Sequence, residues 1–405
     1  MVKRIIILGS GFSAFRYLKK IDKEIFKVTA VSPRNHFLFT PLLPSTTVGS
    51  IEFRSIIEPI RRIDNIEFIQ ASCINIDSVN NKILCEGSTS KEKFELTFDI
   101  LIIAVGETSH SFNIKGINEN ALYLKELADA RKIRTRVIDC FENANLPDVS
   151  EEKRNRFLTF VVCGGGPTGV EFAAELHDFI EEDVKKKYPH LAEFASIYLV
   201  EGRDSILSDF DKKLGEYTLN LFKRQNINLL TKKPVTEVDN NFIYLSDGTS
   251  LKYGLLVWAA GNTSVQLVKH SGFPLNNNGK IITDKYLNVK GYENIYAIGD
   301  CSAIENYALP ATAQVAQKQG LYLAGQMNDL PEKRKPFVFK NLGMLTYVGG
   351  HKALADLPSY KGSGFAAYLF WKSVYLTRLV SLKNKILVLF DWIKTSLFGR
   401  DVSNF

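Results

Sequence analysis

Two glycine-rich turns are the segments of this sequence best suited to chemistry. The first spans residues 9–14 and follows the apolar residues 5–8, and the second spans 164–169 and follows 160–163. A strand, a G-x-G-x-x-G/A turn and a helix together bind a pyrophosphate, because the helix N-terminus supplies free N–H groups. One such string is often accidental, as a glycine turn in an ordinary βαβ unit. Two in the same context predict two dinucleotide sites, and therefore a hydride or electron relay.

Each glycine position has its own mechanical role in this motif. The first position allows the tight turn, the second lets the backbone approach the pyrophosphate, and the third allows close packing of helix on strand. In that order the positions are Gly9, Gly11 and Ala14 in the first turn, and Gly164, Gly166 and Gly169 in the second.

Polar residues at further strand ends predict which nucleotide each turn holds. Glu201 follows the apolar residues 197–200, where a carboxylate accepts hydrogen bonds from a ribose and repels the 2′-phosphate of NADP, so it favours NADH. A capping role is the alternative. The matching position of the first unit is Ser32, so the expected acid is missing there. Asp300 follows a late apolar strand and precedes a predicted helix; it suits the ribityl hydroxyls of a flavin, or acts as an N-cap.

Glu171 lies two residues beyond the second turn, and two interpretations are equally supported. It complements the dipole of the helix N-terminus, in its predicted first turn, or it lies close to a nicotinamide.

The elements that carry these residues alternate between strands and helices, which predicts parallel sheets. Strands are expected at 5–8, 28–31, 98–104, 197–200 and 255–259, and helices at 14–20, 122–145 and 364–398. The polar segment 147–156 is a plausible junction. We predict an α/β protein with two Rossmann-like dinucleotide-binding domains, one from 1–150 and 263–340 and one from 151–262, and a C-terminal membrane-anchoring segment from 341–405.

Composition excludes several classes of protein. The 405 residues are 45% hydrophobic and 23% charged, as in ordinary globular proteins. None of the five cysteines forms a C-x-x-C pair, so we expect no disulfide framework, no metal site and a reducing compartment, although folding could still bring a distant pair together. The net charge of +7 is concentrated in the last 46 residues, which carry +5, so we expect no nucleic-acid partner. No signal peptide and no apolar run of membrane-spanning length is visible.

The C-terminal segment has the pattern of a helix lying in a membrane interface. Basic residues flank its apolar stripe (Lys383, Lys385 and Lys394), and Trp371 and Trp392 suit the interfacial zone. The stripe consists of Leu379, Leu382, Ile386, Leu389, Phe390, Ile393 and Leu397. A helix packed on the core, or a dimer contact, is the alternative.

Six segments together resemble the type II NADH:quinone oxidoreductases, also called alternative NADH dehydrogenases, and most of all their eukaryotic mitochondrial branch. The segments are 32–44, 164–171, 258–262, 298–301, 313–317 and 390–394. Ser32 is similar to that branch. The sequence departs from relatives in having no obvious mitochondrial presequence, no calcium-binding insertion, and Ala14 at the end of the first turn.

The resemblance implies a fold of the FAD/NAD(P)-linked pyridine nucleotide reductase type, with FAD in the domain of 1–150 and 263–340 and NADH in that of 151–262. It also implies the reaction and the site residues. NADH reduces FAD, and a membrane quinone then takes two electrons without proton pumping. Residues implied to bind FAD are Gly9, Gly11, Ala14, Ser32, Arg34, Thr40, Pro41, Gly106, Gly299 and Asp300. Those implied to bind NADH are Gly164, Gly166, Gly169, Glu201 and Gly261. Glu171, Gln314 and Gln317 are implied to be catalytic, and Gln314, Gln317 and Tyr347 to line the quinone site.

Location and rival functions complete the expectations. The resemblance implies a peripheral protein of the mitochondrial inner membrane, with a prokaryotic-type plasma membrane or another organelle as the alternatives. It is also compatible with a homodimer. The first rival is a soluble FAD-dependent NAD(P)H reductase with another acceptor, of ferredoxin, sulfide or apoptosis-inducing-factor type. The second is a non-catalytic nucleotide sensor, against which the retained polar site residues argue.

Overall fold

The computed structural model describes residues 2–329 and 335–403, which form two compact units. Within the described residues, the first unit comprises 2–38, 57–108 and 262–341, and the second comprises 39–56, 109–261 and 342–403. Residues 109–150 therefore cluster with the second unit, and the C-terminal segment is part of that unit. The units do not themselves assign nucleotides, so the predicted domain assignments remain predictions.

A five-stranded parallel sheet forms the centre of the first unit. Its strands lie in the order Ile295–Ala297, Ile100–Ile103, Lys3–Leu8, Phe26–Val31 and Glu67–Ile69. The helix Phe12–Lys20 connects two neighbouring strands and packs against the helix Ala313–Asn328. The two helices can approach closely because Gly320 has no side chain. A Cβ there would lie 2.2 Å from the Ser13 carbonyl oxygen.

The first unit also contains an antiparallel sheet that the sequence patterns did not predict. Its strands are Ala71–Asp77, Lys82–Gly87 and Lys93–Thr97. Smaller elements of this unit are the paired strands His36–Leu38 and Ile57–Pro59, the paired strands Ile281–Thr283 and Ser302–Ile304, the strand Asn262–Ser264, the 3-10 helix Ile60–Arg62 and the helix Gln266–Lys269. The strand Glu107–Ser109 ends where the second unit begins.

A second five-stranded parallel sheet forms the centre of the second unit. Its strands lie in the order Leu122–Tyr123, Leu255–Trp258, Thr159–Cys163, Ser196–Val200 and Ile227–Leu230. The helix after the second glycine turn is Pro167–Phe179, and the π-helix Ile180–Val184 continues it.

Other helices of the second unit correct two expectations. The helix predicted over 122–145 begins only at Leu127, because Glu126 and Asp129 form a capping box there. The predicted junction contains the helix Glu151–Phe157, whose N-cap is Ser150. The remaining helical segments are Thr40–Leu42, Leu43–Thr46, Phe53–Ile56, Ile117–Asn120, Leu127–Asn145, Lys185–Lys187, Pro189–Ala192 and Lys212–Arg224.

Two antiparallel sheets and two C-terminal helices complete the second unit. The sheets contain Val235–Val238, Phe242–Leu245 and Ser250–Lys252, and then Met344–Gly349, Lys352–Leu357 and Tyr360–Gly364. The single helix expected over 364–398 is two helices, Phe365–Arg378 and Leu382–Phe398. The break arises because Leu379 is extended and the Ser381 side chain caps the second helix. Across 2–329 and 335–403, no helix combines the length and the apolar character needed to cross a bilayer.

Candidate functional site

The first glycine turn lies between the strand Lys3–Leu8 and the helix Phe12–Lys20, as predicted. Gly9 has φ +120°, and a Cβ there would lie 2.2 Å from the Ala104 carbonyl oxygen, so only glycine fits. Gly11 is the N-cap, and no atom would lie within 4 Å of a Cβ there. A Cβ at Gly106 would likewise meet no atom within 4 Å. These residues leave room for a pyrophosphate at the helix N-terminus and therefore fit a dinucleotide.

Ser32 belongs to a small polar cluster beside this turn. Its hydroxyl donates to Ser10 Oγ at 3.0 Å, and Arg34 Nε donates to Ser10 Oγ at 3.3 Å and to the His36 carbonyl oxygen at 3.0 Å. Ser10 was not among the predicted site residues, although it lies within the glycine string. Burial, and then the charge of Arg34, lower the pKa of His36 to about 4, so this cluster holds a neutral imidazole at pH 7.

The turn at Gly299 and Asp300 is positioned by a residue that the sequence analysis missed. Gln319 is buried, and its Oε1 accepts a hydrogen bond of 2.6 Å from Gly299 N. The expectation that a helix directly follows Asp300 is wrong, because the strand Ser302–Ile304 intervenes and the helix begins at Ala313.

Gln314 and Gln317 lie one turn apart on the helix Ala313–Asn328, and both are half-buried. Gln317 Oε1 accepts a hydrogen bond of 3.3 Å from Arg16 Nε. This bond leaves the amide NH₂ of Gln317 as the group that can donate to a bound carbonyl.

The second glycine turn repeats the geometry of the first in the second unit. Gly164 has φ +118°, and a Cβ there would lie 2.7 Å from the Ala259 carbonyl oxygen. Gly166 is the N-cap and has open space around it, whereas a Cβ at Gly169 would lie 2.0 Å from the Gly164 carbonyl oxygen. The three glycines thus meet the geometric demands of a dinucleotide turn. Gly261 has φ +73°, and the Phe112 ring packs against it.

Glu201 is tied to this turn by its own side chain. Its Oε2 accepts a hydrogen bond of 2.6 Å from Gly165 N, and its Oε1 accepts one of 2.8 Å from Arg203 N. Each oxygen keeps a further lone pair, so the carboxylate can still accept from ribose hydroxyls. Glu201 therefore holds the turn in shape and keeps acceptor capacity beside it.

We expect Glu201→Gln to raise KM for NADH about tenfold and to weaken the preference of the protein for NADH over NADPH. One charge-assisted hydrogen bond is worth roughly 1.5–3 kcal/mol, and 1.4 kcal/mol is about tenfold in affinity. Steady-state kinetics with both nucleotides measure the effect. The control is Glu216→Gln, an exposed glutamate of the same unit, and an unchanged nucleotide preference in Glu201→Gln contradicts the assignment.

Glu171 is a buried carboxyl held by the sheet that precedes the C-terminal helices. It is the fifth residue of its helix, so the expectation that it lies in the first turn is wrong. Thr346 Oγ1 donates to its Oε1 at 3.0 Å, and Tyr347 N donates to the same oxygen at 3.1 Å. Burial raises the pKa of Glu171 to about 8, against these two hydrogen bonds, which lower it. A pKa of about 8 favours the protonated carboxyl at pH 7.

Further buried acids follow Glu171 along the same helix. Both oxygens of Glu175 accept hydrogen bonds of 2.6 Å, one from Ser45 and one from Ser50, and burial raises its pKa. The Tyr347 hydroxyl donates to Asp178, which also accepts from Gly350 N at 2.9 Å. Burial alone would raise the pKa of Asp178, but its hydrogen-bond donors lower it overall. The hydroxyl of Tyr347 is thus committed to Asp178.

The structure divides the predicted site residues between the two units. The first unit contains Gly9, Gly11, Ala14, Ser32, Arg34, Gly106, Gly299, Asp300, Gln314 and Gln317. The second contains Thr40, Pro41, Gly164, Gly166, Gly169, Glu171, Glu201, Gly261 and Tyr347. Each unit therefore brings one glycine turn together with its own polar partners.

Comparison with known proteins identifies the family. The model for the pyridine nucleotide-disulphide oxidoreductases matches residues 3–320, and the model for the NDH2 C-terminal domain matches residues 341–401. This chain belongs to the type II NADH dehydrogenase family. The predicted family and its pyridine-nucleotide oxidoreductase fold are thereby confirmed.

Individual type II NADH dehydrogenases and their relatives match over almost the full chain. A probable NADH dehydrogenase of Dictyostelium discoideum is 45% identical over 100% of this chain and 91% of its own length. An internal alternative NAD(P)H-ubiquinone oxidoreductase of Solanum tuberosum mitochondria is 41% identical over 99% of this chain and 88% of its own. The structure of NDH2 from Plasmodium falciparum in complex with NADH covers 100% of both chains, with 32% identity and a TM-score of 0.96.

Proposed function

We propose that this type II NADH dehydrogenase oxidises NADH through bound FAD and reduces a quinone without pumping protons. Bound FAD supplies the chemistry, since it accepts a hydride and passes on two electrons. The observation that carries the proposal is the repeated strand, glycine turn and helix, once in each unit, with a positive φ at Gly9 and at Gly164. Family membership supports FAD and NADH as the two nucleotides.

The residues around the turns have separate roles in this proposal. The first turn, Ser32, Arg34 and Asp300 retain FAD, and the second turn and Glu201 bind and release NADH. The amide of Gln317 donates to the quinone, with Gln314 beside it on the helix. Glu171 holds a proton that reduction of a quinone to a quinol consumes. We assign the ring of Tyr347, and not its hydroxyl, to the quinone site, since the hydroxyl donates to Asp178.

Steady-state assay of the purified FAD-loaded protein tests the activity. We expect NADH oxidation to require a short-chain quinone and to be slower with NADPH. Ferredoxin and persulfide acceptors serve as controls for the rival reductases. Turnover with one of those acceptors and none with quinone contradicts the proposal.

We also propose that the second C-terminal helix docks on a membrane surface, so that the protein meets its quinone there. The support is a row of exposed apolar side chains on that helix: Leu382, Ile386, Leu389, Phe390, Ile393, Leu397 and Phe398. Exposed apolar patches of this kind mark interaction surfaces, and a helix with such a face suits the headgroup boundary.

Two members of the predicted anchoring pattern, Leu379 and Trp371, are wrong. Leu379 and Trp371 are buried, the latter among tyrosine rings, because they lie on the face that packs against the unit. Lys394 is partly exposed, and its Nζ forms an ion pair of 2.9 Å with Glu52.

The inward-facing residues of the C-terminal segment are bonded to the rest of the second unit. Asp391 accepts a hydrogen bond from Ser55, and Arg400 donates to both Glu182 and Asp183 at 2.8 Å. Deletion of the last forty residues would leave the buried carboxyl of Asp183 without its Arg400 partner, so point substitutions are the better test of docking.

Replacing Leu382, Phe390 and Leu397 together by asparagine should lower binding to phospholipid vesicles at least about 1,000-fold. Full burial of each such side chain is worth about 1.5–3 kcal/mol, and 1.4 kcal/mol is about tenfold. Co-sedimentation with vesicles measures the change, and flavin content shows that folding is kept. The control is Val79→Asn, since Val79 is 88% exposed on the first unit. Undiminished binding of the triple variant contradicts docking through this face.

The finer location remains part of the proposal. Mitochondrial relatives support a peripheral protein of a mitochondrial membrane, and we propose the inner membrane. We also propose a homodimer, for which sedimentation of the detergent-solubilised protein is the test.

A further inference from the structure

Folding brings together two cysteines, Cys73 and Cys85, that form no C-x-x-C pair in the sequence. Cys73 on the strand Ala71–Asp77 and Cys85 on the strand Lys82–Gly87 are direct register partners in an antiparallel pair. Side chains of such partners lie on the same face of the sheet, with Cα atoms about 4.5–5.5 Å apart. That spacing lies within the range of roughly 4.4–6.8 Å that a disulfide requires.

The two thiols are free and in contact. They are hydrogen-bonded to each other, and Cys73 Sγ also donates to the Asn75 carbonyl oxygen at 3.3 Å. A β-bulge between Cys73 and Asn75 interrupts the strand pairing beside the thiol. Neither backbone has to move far for the two sulfurs to bond.

Exposure differs between the two sulfurs. Cys85 is fully buried in the apolar core of the first unit, whereas Cys73 is only partly buried. An external reagent therefore reaches Cys73 first. The hydrogen bond between the two thiols raises the pKa of Cys73 and lowers that of Cys85. Exposure therefore selects Cys73 for the first step, and thiolate character selects Cys85 for the second.

We propose that Cys73 and Cys85 are a reversible modification site, at which a low-molecular-weight disulfide such as glutathione disulfide forms a cross-strand disulfide. The Cys73 thiolate attacks one sulfur of the reagent, which breaks the reagent's S–S bond, forms a mixed disulfide and releases one small thiol. The Cys85 thiolate then attacks Cys73 Sγ and releases the second small thiol. The two cysteines lose two electrons and two protons, and the reagent gains both. This site is separate from the nucleotide turns and goes beyond the proposed function.

The remaining cysteines provide the internal controls. Cys140, Cys163 and Cys301 are buried, and burial raises the pKa of each thiol. A buried thiol of raised pKa is unreactive towards an external disulfide.

The test is a count of free thiols in the full-length, FAD-loaded protein. After equilibration in buffers of rising glutathione disulfide to glutathione ratio, the protein is denatured and labelled with a maleimide. We expect labelled thiols to fall from the five of the sequence to three, a peptide map to show the 73–85 bridge, and dithiothreitol to reverse both.

Three single variants make the result specific. Cys140→Ser should still lose two thiols. Cys73→Ser should lose none, and Cys85→Ser should lose one, as a glutathione adduct on Cys73 that does not proceed to a bridge. Five labelled thiols at the highest ratio, a bridge between other cysteines, or a loss of two thiols in Cys73→Ser would overturn the proposal. Cys73 is partly exposed, so Cys73→Ser remains informative even if Cys85→Ser does not fold.

Discussion

Gly164→Ala should lower kcat/KM for NADH about 100-fold while FAD stays bound. The added Cβ would lie 2.7 Å from the Ala259 carbonyl oxygen, and the backbone there has φ +118°. Relief of that overlap moves the turn, and a displacement of about 1 Å at a reacting centre is worth roughly 100-fold in rate. Stopped-flow reduction of the flavin by NADH, with flavin content measured in the same preparation, gives the result.

The control for this substitution is Gly248→Ala. Gly248 belongs to the same unit and has φ +84°, but no atom would lie within 4 Å of its Cβ. Gly248→Ala therefore imposes a similar backbone strain without the steric overlap that Gly164→Ala introduces. A wild-type rate of flavin reduction in Gly164→Ala would show that this turn does not bind NADH.

Glu171→Gln should slow reoxidation of the flavin by quinone about 100-fold and leave its reduction by NADH within a few-fold of wild type. A positioned general acid contributes about 10²–10⁴ to a rate, and glutamine keeps the shape of the side chain without the proton. Glu175→Gln is the matched control, because Glu175 is also a buried glutamate, one turn along the same helix. Equal loss in both half-reactions would point to a structural role for Glu171.

The pH dependence of that half-reaction distinguishes a proton donor from a positioning group. Because the pKa of Glu171 is about 8, the protonated form predominates below pH 8 and falls about tenfold per pH unit well above it. The wild-type rate of reoxidation should therefore decline above pH 8, and the Glu171→Gln rate should lack that limb. If the rate of Glu171→Gln also declines above pH 8, the titrating group is not Glu171.

The parallel sheets were predictable because their strands are short apolar runs that turn residues bound. Residues 5–8 are fully buried at the centre of one sheet, as such a run requires. The antiparallel sheet that contains Cys73 was not predictable, because its edge strand Lys93–Thr97 alternates exposed and half-buried residues and carries no strong pattern. Its pairing depends on contacts that spacing alone does not encode.

The site shows the same division between local and long-range information. The glycine turns and Glu201 are local, so their positions follow from the motif. The hydrogen bond from Gly299 N to Gln319, and the raised pKa of Glu171, depend on residues distant in the chain. In the C-terminal segment, helical spacing identified an apolar stripe. It could not show that Leu379 is buried, since burial depends on the surface of the second unit against which the segment packs.

The most direct test of the central claim is an anaerobic two-step experiment on the FAD-loaded protein. We predict that one equivalent of NADH bleaches the flavin absorbance and that a short-chain quinone then restores it, with quinol formed in equal amount. Bleaching by NADH that quinone does not reverse would contradict the proposed function.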